Sequence, residues 1–562
     1  MHASKSSPRR ITGMLLLLFI LSLRCPALAD VTIVFDKTDG STVNENVPIR
    51  IRVTGSEDLN TNKVELAVDD QVIDSKNAVP YQFTWNTMKF TDGKHKITAI
   101  ATDDKGNKTK AEITLNVDNG LDKGVEFHAK AALELIQNGD LDGGQKALER
   151  AIRIDAAHPM VVRATAAMLR KRGNFREALD TILTLPLPDN DVPTRQERSS
   201  FMMSLAFSAK TPDEFLLGAQ GALNMYKQML AIKKSKIKPD GSAGSTFMQN
   251  GDQSMAEHQW ASAASEYRKS GSEENMHPDM ANRLALALLY SGKLREANGI
   301  ISGIISGHRE DPATRALNGM YLLMNHQADK AREAVMTDVD AKATYISTTG
   351  IKRLASWIIA AYADIALGKK DRARIEAQQA LSLAPQLADT QMLMIYVTDK
   401  PEEARSAIGH ALEQDPSLPQ AYIANGFQSL LMKGDKNISI SSAMFDMALN
   451  LDPGNILALA GKILYFQASK KPAVAQKLLT KLILADKRSP DLHVIQAYNY
   501  MLSGYELGIQ PELKAANQMN DKMWTDSILP KPEDLIRRVF EYRICPALSP
   551  ASLYPSITSD LN

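Results

Sequence analysis

Cysteine is almost absent from this chain of 562 residues. There are two cysteines, Cys25 and Cys545, and Cys25 lies in a stretch that we predict to be removed from the mature protein. A single remaining cysteine excludes an intramolecular disulfide, so the stability of the fold must come from packing. Cys545 could pair between chains or stay a free thiol.

Excess charge, aromatic residues and catalytic motifs are also scarce. The formal net charge is +1 and aromatic residues make up 6% of the chain. Because a near-neutral chain lacks the basic surface of nucleic-acid-binding proteins, we expect no nucleic-acid partner. The local motifs of zinc proteases, serine hydrolases, P-loop proteins and paired-cysteine metal sites are missing. The sequence therefore predicts a protein that is not an enzyme and needs no cofactor.

The first 29 residues have the parts of a bacterial export signal in the usual order. The cations Lys5, Arg9 and Arg10 precede the apolar run 14–23, and Ala27-Leu28-Ala29 provides a small-x-small cleavage site. A run of ten residues is too short to span a bilayer, and no second run reaches that length. We predict export to the periplasm, the cell surface or the medium, with no transmembrane anchor after cleavage. A lipoprotein signal and a twin-arginine signal are alternatives that the flanking residues fit less well.

Residues 30–118 alternate between apolar and polar side chains, as half-buried strands do. About seven short strands separated by Asp-Gly and Asp-Asp turns predict an antiparallel β-sandwich. The runs Pro80–Trp85, Asp92–His95 and Asp103–Asn107 resemble the Ig-like domains appended to bacterial secreted proteins. A carbohydrate-binding role would need exposed aromatics, but Tyr81 and Trp85 share the parity of Phe83, which predicts that they pack inside.

Clustered oxygen side chains in this segment raise the possibility of a calcium site. In a sandwich of this kind one loop and the last hairpin emerge at the same end, bringing together Asp58, Asp103, Asp104 and Asn107. Carboxylate and amide oxygens are the ligands that Ca²⁺ prefers. The alternative is that Asp and Asn serve only as turn formers, and the spacing of an EF-hand loop is missing.

From residue 121 onward the apolar spacing becomes helical, and it is clearest between Leu354 and Pro385. Small and large apolar residues stand where two antiparallel helices would interlock around the turn at Gly368. Counting Leu354 as one, position four is Trp357, eight is Ala361, twenty is Ala373, twenty-seven is Ala380 and thirty-two is Pro385. This spacing resembles the tetratricopeptide (TPR) repeat, a helix-turn-helix unit of 34 residues.

Looser copies of the same unit extend over most of the chain. Prolines 385, 416, 453 and 490 close successive copies, which predicts an all-α superhelical solenoid. We divide the chain into a signal peptide (1–29), an Ig-like sandwich (30–118), helical repeats (121–490, irregular around 186–250), capping helices (491–545) and a mobile tail (546–562).

The resemblance to tetratricopeptide repeats also implies where a partner would bind. In that family the first helix of each repeat lines a concave groove, and its outward residues contact the ligand. The corresponding positions form a mixed to apolar set: Asp279, Asn282, Leu286 and Leu289 in one repeat, and Ala355, Ile358, Tyr362 and Ile365 in another. We expect this set to bind a protein segment with apolar anchors. The alternative is that Tyr362 and Leu286 pack between neighbouring repeats.

The sequence as a whole predicts an exported scaffold or adaptor that binds other proteins of the cell envelope. One alternative is an accessory component of a secretion, polysaccharide-export or carbohydrate-processing assembly. Another is an envelope enzyme whose active site has no recognisable local motif. The sequence does not specify an oligomeric state.

Overall fold

The computed structural model describes residues 31–55, 61–209, 211–236, 243–271, 276–307, 311–339, 353–432, 434–485, 489–519, 528–543 and 546–553. The chain forms two compact units, one ending at Val161 and the other beginning at Val162. The segment 1–29 predicted as a signal peptide, the candidate ligand Asp58 and Cys545 lie outside the described residues.

The first unit begins with a two-sheet β-sandwich. One sheet has the strand order β1-β3-β6 and the other the order β2-β8-β7-β4-β5. All pairs are antiparallel except β2 with β8, which is parallel. The strands are β1 Thr32–Phe35, β2 Thr42–Val43, β3 Asn46–Thr54, β4 Thr61–Val68, β5 Gln71–Lys76, β6 Tyr81–Asn86, β7 Gly93–Asp103 and β8 Lys108–Val117.

Strand β6 shows how the alternation of the sequence forms the sandwich. Its aromatic residues Tyr81, Phe83 and Trp85 are buried and the residues between them are exposed, because successive side chains of a strand point to opposite faces. The three aromatic side chains join a core that includes Ile49 and Ile97. Strand β6 therefore uses its aromatic residues for packing and presents none of them to a carbohydrate.

The first helical hairpin belongs to the same unit as the sandwich. Helix α1 (Val125–Gln137) packs on α2 (Leu141–Asp155). From α2, Arg150 donates to a carboxylate oxygen of Glu45 (2.6 Å), and the Lys146 ammonium lies 3.1 Å from the other oxygen. Burial opposes the ionisation of Glu45, but the two cations outweigh it and lower the pKa of this carboxyl. The ion pairs tie the hairpin to the sandwich.

The second unit consists of α-helices that pack in sequence. Helix α3 begins in the first unit and continues into the second. The helices are α3 Pro159–Lys171, α4 Phe175–Leu183, α5 Val192–Ser208, α6 Pro212–Lys236, α7 Ala243–Ala256, α8 Trp260–Arg268, α9 Pro278–Tyr290, α10 Leu294–Gly307, α11 Pro312–Met324, α12 Ala328–Val339, α13 Leu354–Ala366, α14 Lys370–Leu383, α15 Ala388–Val397, α16 Pro401–Gln414, α17 Pro419–Leu431, α18 Asp435–Leu451, α19 Ile456–Ala468, α20 Pro472–Ala485, α21 Pro490–Leu502, α22 Ile509–Gln518, α23 Pro532–Tyr542 and α24 Pro550–Leu553.

The repeat with the clearest spacing folds as a helical hairpin, as predicted. Helices α13 and α14 flank Gly368, whose φ of +70° lies in the left-handed region that favours glycine. The side chains of Ala361, Ala373 and Ala380 are fully buried, so the helices can approach closely. The same turn glycine recurs, again with positive φ, at Gly139, Gly173 and Gly292. The helical-repeat array predicted from the sequence is confirmed.

The irregular stretch around 186–250 contains long helices that contact a distant part of the array. Helix α5 packs against α16, where the Ser204 hydroxyl donates to the carboxylate of Glu413 (2.5 Å). The Arg405 guanidinium donates to the carbonyl oxygen of Phe207 (2.7 Å). These bonds join residues 209 and 198 positions apart. The series of repeats in the second unit therefore closes on itself.

The end of the chain differs from the mobile tail that we expect from residue 546. Residues 546–553 are packed, and the side chains of Ala547, Leu548, Ser552 and Leu553 are at most 4% exposed. The reason is that Ala547, Leu548 and Leu553 are apolar and are buried by the repeats, which ties the end of the chain down. Residues 554–562 lie outside the described part of the chain.

A close contact at a helical glycine gives a test of the packing. A Cβ atom added at Gly426 in α17 would lie 2.6 Å from the buried Phe445 ring. We expect Gly426→Ala to lower the free energy of unfolding by about 1–3 kcal/mol, because the core cannot take an added methyl group without shifting. Gly409→Ala in α16 is the matched control, since nothing lies within 4 Å of its added Cβ. It should be neutral or stabilising by up to about 1 kcal/mol. Thermal and denaturant unfolding of both variants measures the difference, and equal losses would contradict the packing.

A buried histidine in the sandwich predicts a pH dependence of stability. His95 Nδ1 lies 2.5 Å from Asp69 Oδ2, and its Nε2 lies 2.7 Å from the carbonyl oxygen of Thr91. Burial opposes the charged imidazole, but these hydrogen bonds and the charge of Asp69 outweigh it and raise the pKa of His95. The stabilisation is therefore complete below the unfolded pKa of about 6.5 and is lost as the pH rises through the raised folded value.

Asp69→Asn should remove most of this dependence while keeping the acceptor for the Lys96 N–H, which Asp69 Oδ1 binds at 3.0 Å. We expect the variant to lose more stability at pH 5.5 than at pH 8.5. Hydrogen exchange of strands β4 and β7 measures the loss in the sandwich itself. A loss that is the same at both pH values would show that the pair does not titrate as described.

Candidate functional site

The structure buries most of the residues that we expect to line an open groove. Of the eight, Asp279 is exposed, and the other seven, Asn282, Leu286, Leu289, Ala355, Ile358, Tyr362 and Ile365, are between 0 and 7% exposed. They therefore cannot form an open surface. The prediction of an open groove at these residues is therefore corrected. Two physical reasons account for their burial: some of the residues pack between neighbouring repeats, and others are covered by the end of the chain.

Asn282 illustrates packing between repeats. Its amide donates to the carboxylate of Asp311 (2.8 Å) and its carbonyl oxygen accepts from the hydroxyl of Thr314 (3.0 Å). Asp311 also caps helix α11. This side chain thus joins α9 to the next repeat and is unavailable to a partner.

Tyr362 illustrates coverage by the end of the chain. Its hydroxyl accepts a long hydrogen bond (3.5 Å) from the backbone N–H of Ala547. We use the name C-terminal segment for residues 528–543 and 546–553. The segment contacts α13, α17 and α19, which are the first helices of three hairpins. We call the face of the second unit that the segment contacts the inner surface.

An aromatic stack holds the helical part of the C-terminal segment. The Phe540 ring of α23 stacks on Tyr396 and on Phe427, with centroid distances of 4.7 and 5.0 Å. Two residues further on, the Tyr542 ring stacks on His326 at 4.2 Å. The buried face of α23 is completed by Leu535, Ile536 and Val539. Stacked aromatic pairs of this kind contribute beyond the apolar area that they bury.

An ion pair follows the aromatic stack. Arg543 donates from Nε to Asp491 (2.5 Å) and from Nη2 to the second oxygen of the same carboxylate (3.0 Å). The guanidinium also donates to the hydroxyl of Ser489 (2.5 Å). The Asp491 side chain is fully buried and that of Arg543 is 9% exposed. A bidentate pair away from water fixes both the position and the direction of the segment.

Backbone hydrogen bonds hold the extended part of the segment. The Tyr290 hydroxyl accepts from the N–H of Leu548 (2.7 Å) and lies 2.8 and 3.0 Å from the carbonyl oxygens of Leu548 and Pro546. Asp389 accepts from both the N–H and the hydroxyl of Ser549, at 2.8 and 2.7 Å. Burial raises the pKa of Asp389, although the bonds from Ser549 act in the opposite direction.

A cavity of about 620 Å³ lies beside the end of the C-terminal segment. Its walls come from α5 to α9, from the residues around Asp389 and Asp415, and from residues 548–551 of the segment. The apolar part of the lining consists mainly of Met229, Leu230, Met248, Met255 and Leu418. The volume falls within the range of about 300–1,000 Å³ that is typical of ligand sites.

Several buried polar atoms on the cavity wall have no hydrogen-bond partner among the described residues. They are Nδ1 of His258, Nε1 of Trp260 and Oε1 of Gln420. His258 Nε2 does lie 3.6 Å from the carboxylate of Asp415. Burial opposes the ionisation of Asp415, but His258 and the bonds from Ser417 outweigh it and lower the pKa of Asp415. The cavity thus offers unused donors and acceptors on a largely apolar wall.

Oxygen side chains in the last hairpin of the sandwich are bound within their own turn. The carboxylate of Asp103 accepts from the N–H groups of Lys105 (2.9 Å) and Asn107 (2.7 Å) and from the Asn107 amide (2.9 Å). Asp104 is exposed. In the described part of the chain, no group of three or more His, Cys, Asp or Glu side chains is arranged to hold a metal ion. The turn-forming alternative accounts for the bonds of Asp103, and calcium binding stays a prediction.

A buried charge cluster between repeats is a further group of titratable side chains that the spacing of the repeat does not predict. Arg332 lies 3.2 Å from Asp364 and 2.9 Å from Glu376, and Arg372 also pairs with Asp364. Burial, opposed by Arg332 and reinforced by Asp364, raises the pKa of Glu376 to about 8. Because these side chains join α12, α13 and α14, and Arg332, Asp364 and Glu376 are buried, we interpret them as a structural network between repeats.

Comparison with known proteins gives a match to one family model and similarities to 175 chains of solved structures, of which two are described here. Residues 31–99 match the family of bacterial Ig domains. Fibronectin(III)-like modules of CbhA from Clostridium thermocellum are 26% identical over 16% of this chain and 47% of theirs, with a TM-score of 0.14. The chain therefore spans about half the length of that structure. The Cut9–Hcn1 hetero-tetramer of the APC/C is 15% identical over 75% of this chain and 84% of its own, with a TM-score of 0.41. The chain matches no curated protein.

The family match confirms the bacterial Ig-like domain that the sequence predicts at the N-terminus. The rest of the described chain is helical repeats, so both parts of the predicted architecture are present. No helix of the described residues is long and apolar enough to cross a membrane.

The ion pair of the C-terminal segment gives a test of the site. We expect Arg543→Met to lower the free energy of unfolding of the second unit by roughly 3–5 kcal/mol, because Asp491 is left buried without its cation. Arg537→Met is the matched control, since Arg537 lies on the exposed side of the same helix. It should change stability by less than about 0.5 kcal/mol. Differential scanning calorimetry compares the two, and equal melting temperatures would show that the ion pair does not hold the segment.

Proposed function

We propose that this protein is an exported scaffold of the cell envelope whose helical-repeat unit binds a short segment of a partner protein. The observation that carries the proposal is the cavity of about 620 Å³ at the inner surface. It lies next to a segment of the chain that the inner surface already holds. A surface that binds one peptide segment beside an unfilled cavity is suited to binding a second.

The lining of the cavity supports a peptide as its occupant. A buried donor or acceptor without a partner costs about 1–3 kcal/mol. The indole N–H of Trp260 and the amide oxygen of Gln420 need an acceptor and a donor, respectively. A peptide backbone supplies both, and its apolar side chains suit the methionine and leucine residues of the wall.

Two features of the sequence support the location in the envelope. The first 29 residues have the composition of an export signal, and the following domain matches a bacterial Ig family. In this account the Ig-like domain accompanies the repeats outside the cytoplasm. Fractionation of cells that produce the full chain tests this part of the proposal.

Site-specific photo-crosslinking in the envelope tests partner binding. A photo-reactive amino acid in place of Gln249, which lines the cavity, should form discrete adducts with a partner. The same amino acid in place of Ile375, which is 66% exposed on α14, is the control and should form none of them. The wall residue Ala256 allows a second control, because Ala256→Trp would fill part of the cavity and should remove the adducts.

Adducts of equal yield from both positions, or adducts that persist with Ala256→Trp, would contradict binding in the cavity. The complete absence of adducts from Gln249 in cells that export the protein would contradict the scaffold function itself. Circular dichroism of each variant confirms that the repeats are folded, so that a negative result bears on binding.

A further inference from the structure

We infer that the C-terminal segment is a resident ligand of the inner surface, and that it exchanges for a partner segment of the same chemistry. A segment of this kind has an amphipathic helix that ends in the sequence aromatic-x-aromatic-arginine, and an extended stretch lies beyond the helix. The inference rests on the proposed function for the existence of a partner. It adds what kind of segment binds and what competes with it.

The first requirement is an aromatic side chain at the end of the helix. Phe540 is 4% exposed and fits between the rings of Tyr396 and Phe427. These two rings come from different repeats, α15 and α17, so the pocket exists only where the two helices adjoin. Large rigid side chains that enter such pockets dominate the energetics of protein interfaces. Tyr542, stacked on His326, provides a second aromatic contact two residues later.

The second requirement is an arginine directly after the aromatic pair. Asp491 is fully buried and binds the Arg543 guanidinium through both carboxylate oxygens. A buried carboxylate without a cation is strongly unfavourable, so any occupant that replaces the segment must bring its own. Lysine would be a poorer replacement, because its ammonium cannot match the two oxygens of a carboxylate in the same planar geometry.

The third requirement is an extended backbone. Tyr362, Tyr290 and Asp389 bind main-chain groups of residues 546–549. Main-chain hydrogen bonds give affinity without demanding particular side chains. This part of the inner surface therefore recognises backbone conformation, while the aromatic and arginine pockets recognise sequence.

The position of the cavity links the segment to the partner. Residues 548–551 of the segment form one wall of the cavity. A partner that enters the cavity therefore touches the segment, and the two occupancies are thermodynamically linked. The outer side of α23 is exposed at Pro532, Glu533 and Arg537, so the segment lies at the surface of the unit and its release uncovers the inner surface.

Peptide exchange tests the inference directly. A protease site is inserted within residues 520–527 of the otherwise complete chain, so that the C-terminal segment can be cut from the repeats after folding. A fluorescent synthetic peptide of residues 528–553, with serine in place of Cys545, is then added to the cleaved and to the uncleaved protein. Fluorescence anisotropy reports binding.

We expect saturable binding to the cleaved protein and much weaker binding to the uncleaved protein, where the attached segment competes at an effective concentration on the order of millimolar. Peptides carrying Phe540→Ala or Arg543→Ala should bind at least about tenfold more weakly. The peptide carrying Arg537→Ala is the matched control and should bind as tightly as the unaltered peptide.

Two results would overturn the inference. One is that cleavage unfolds the repeats or that the cut segment never exchanges, which would make the segment an inseparable part of the core. The other is equal affinity of the Phe540→Ala, Arg543→Ala and Arg537→Ala peptides. Because the peptide comes from the protein itself, this outcome is independent of the crosslinking result. If the peptide exchanges but no adducts form in the envelope, the proposed function and its partner segment are refuted, while the C-terminal segment remains an exchangeable ligand of the inner surface.

Discussion

A pair of helices in a repeat cannot bury both of its faces, and the rest of this structure depends on how the second face is covered. Neighbouring repeats cover one side of each hairpin, as the buried alanines Ala361, Ala373 and Ala380 show. The inner surface remains, and it is lined by apolar and aromatic side chains of the first helices. In this protein the C-terminal segment covers part of it through Phe540, Arg543 and the backbone of residues 546–549. The part that stays uncovered is the cavity.

Local spacing predicts the local structure well. The alternation in β6 fixes which side of the strand carries Tyr81, Phe83 and Trp85, because the side-chain period of a strand is two. The small residues and the turn glycine of the repeat at 354–385 fix the hairpin, since only certain positions allow two helices to approach and the chain to turn. The amphipathic pattern around Leu535 and Phe540 likewise predicts the helix α23 from the sequence.

The site could not be predicted in the same way, because it depends on contacts between residues that are far apart in the chain. The repeat spacing predicts that Leu286 and Tyr362 lie on first helices, but their exposure depends on what lies against those helices. The bond between Ser204 and Glu413 spans 209 positions, and the contact between Tyr362 and Ala547 spans 185. Neither of these contacts can be read from the periodicity of the sequence. The mobile tail expected from residue 546 is likewise not found at residues 546–553, which are packed, since whether a chain end is held depends on what it packs against.

The central claim is that the inner surface holds the C-terminal segment as a bound peptide. Hydrogen exchange of the full chain, read at residues 532–553, measures this most directly. We predict that the amides of Ala547, Leu548 and Ser549, which donate to Tyr362, Tyr290 and Asp389, are protected together with α23. All of them should lose protection when Phe540 is replaced by alanine. Exchange of these amides at the rate of an unstructured chain in the unaltered protein would contradict it.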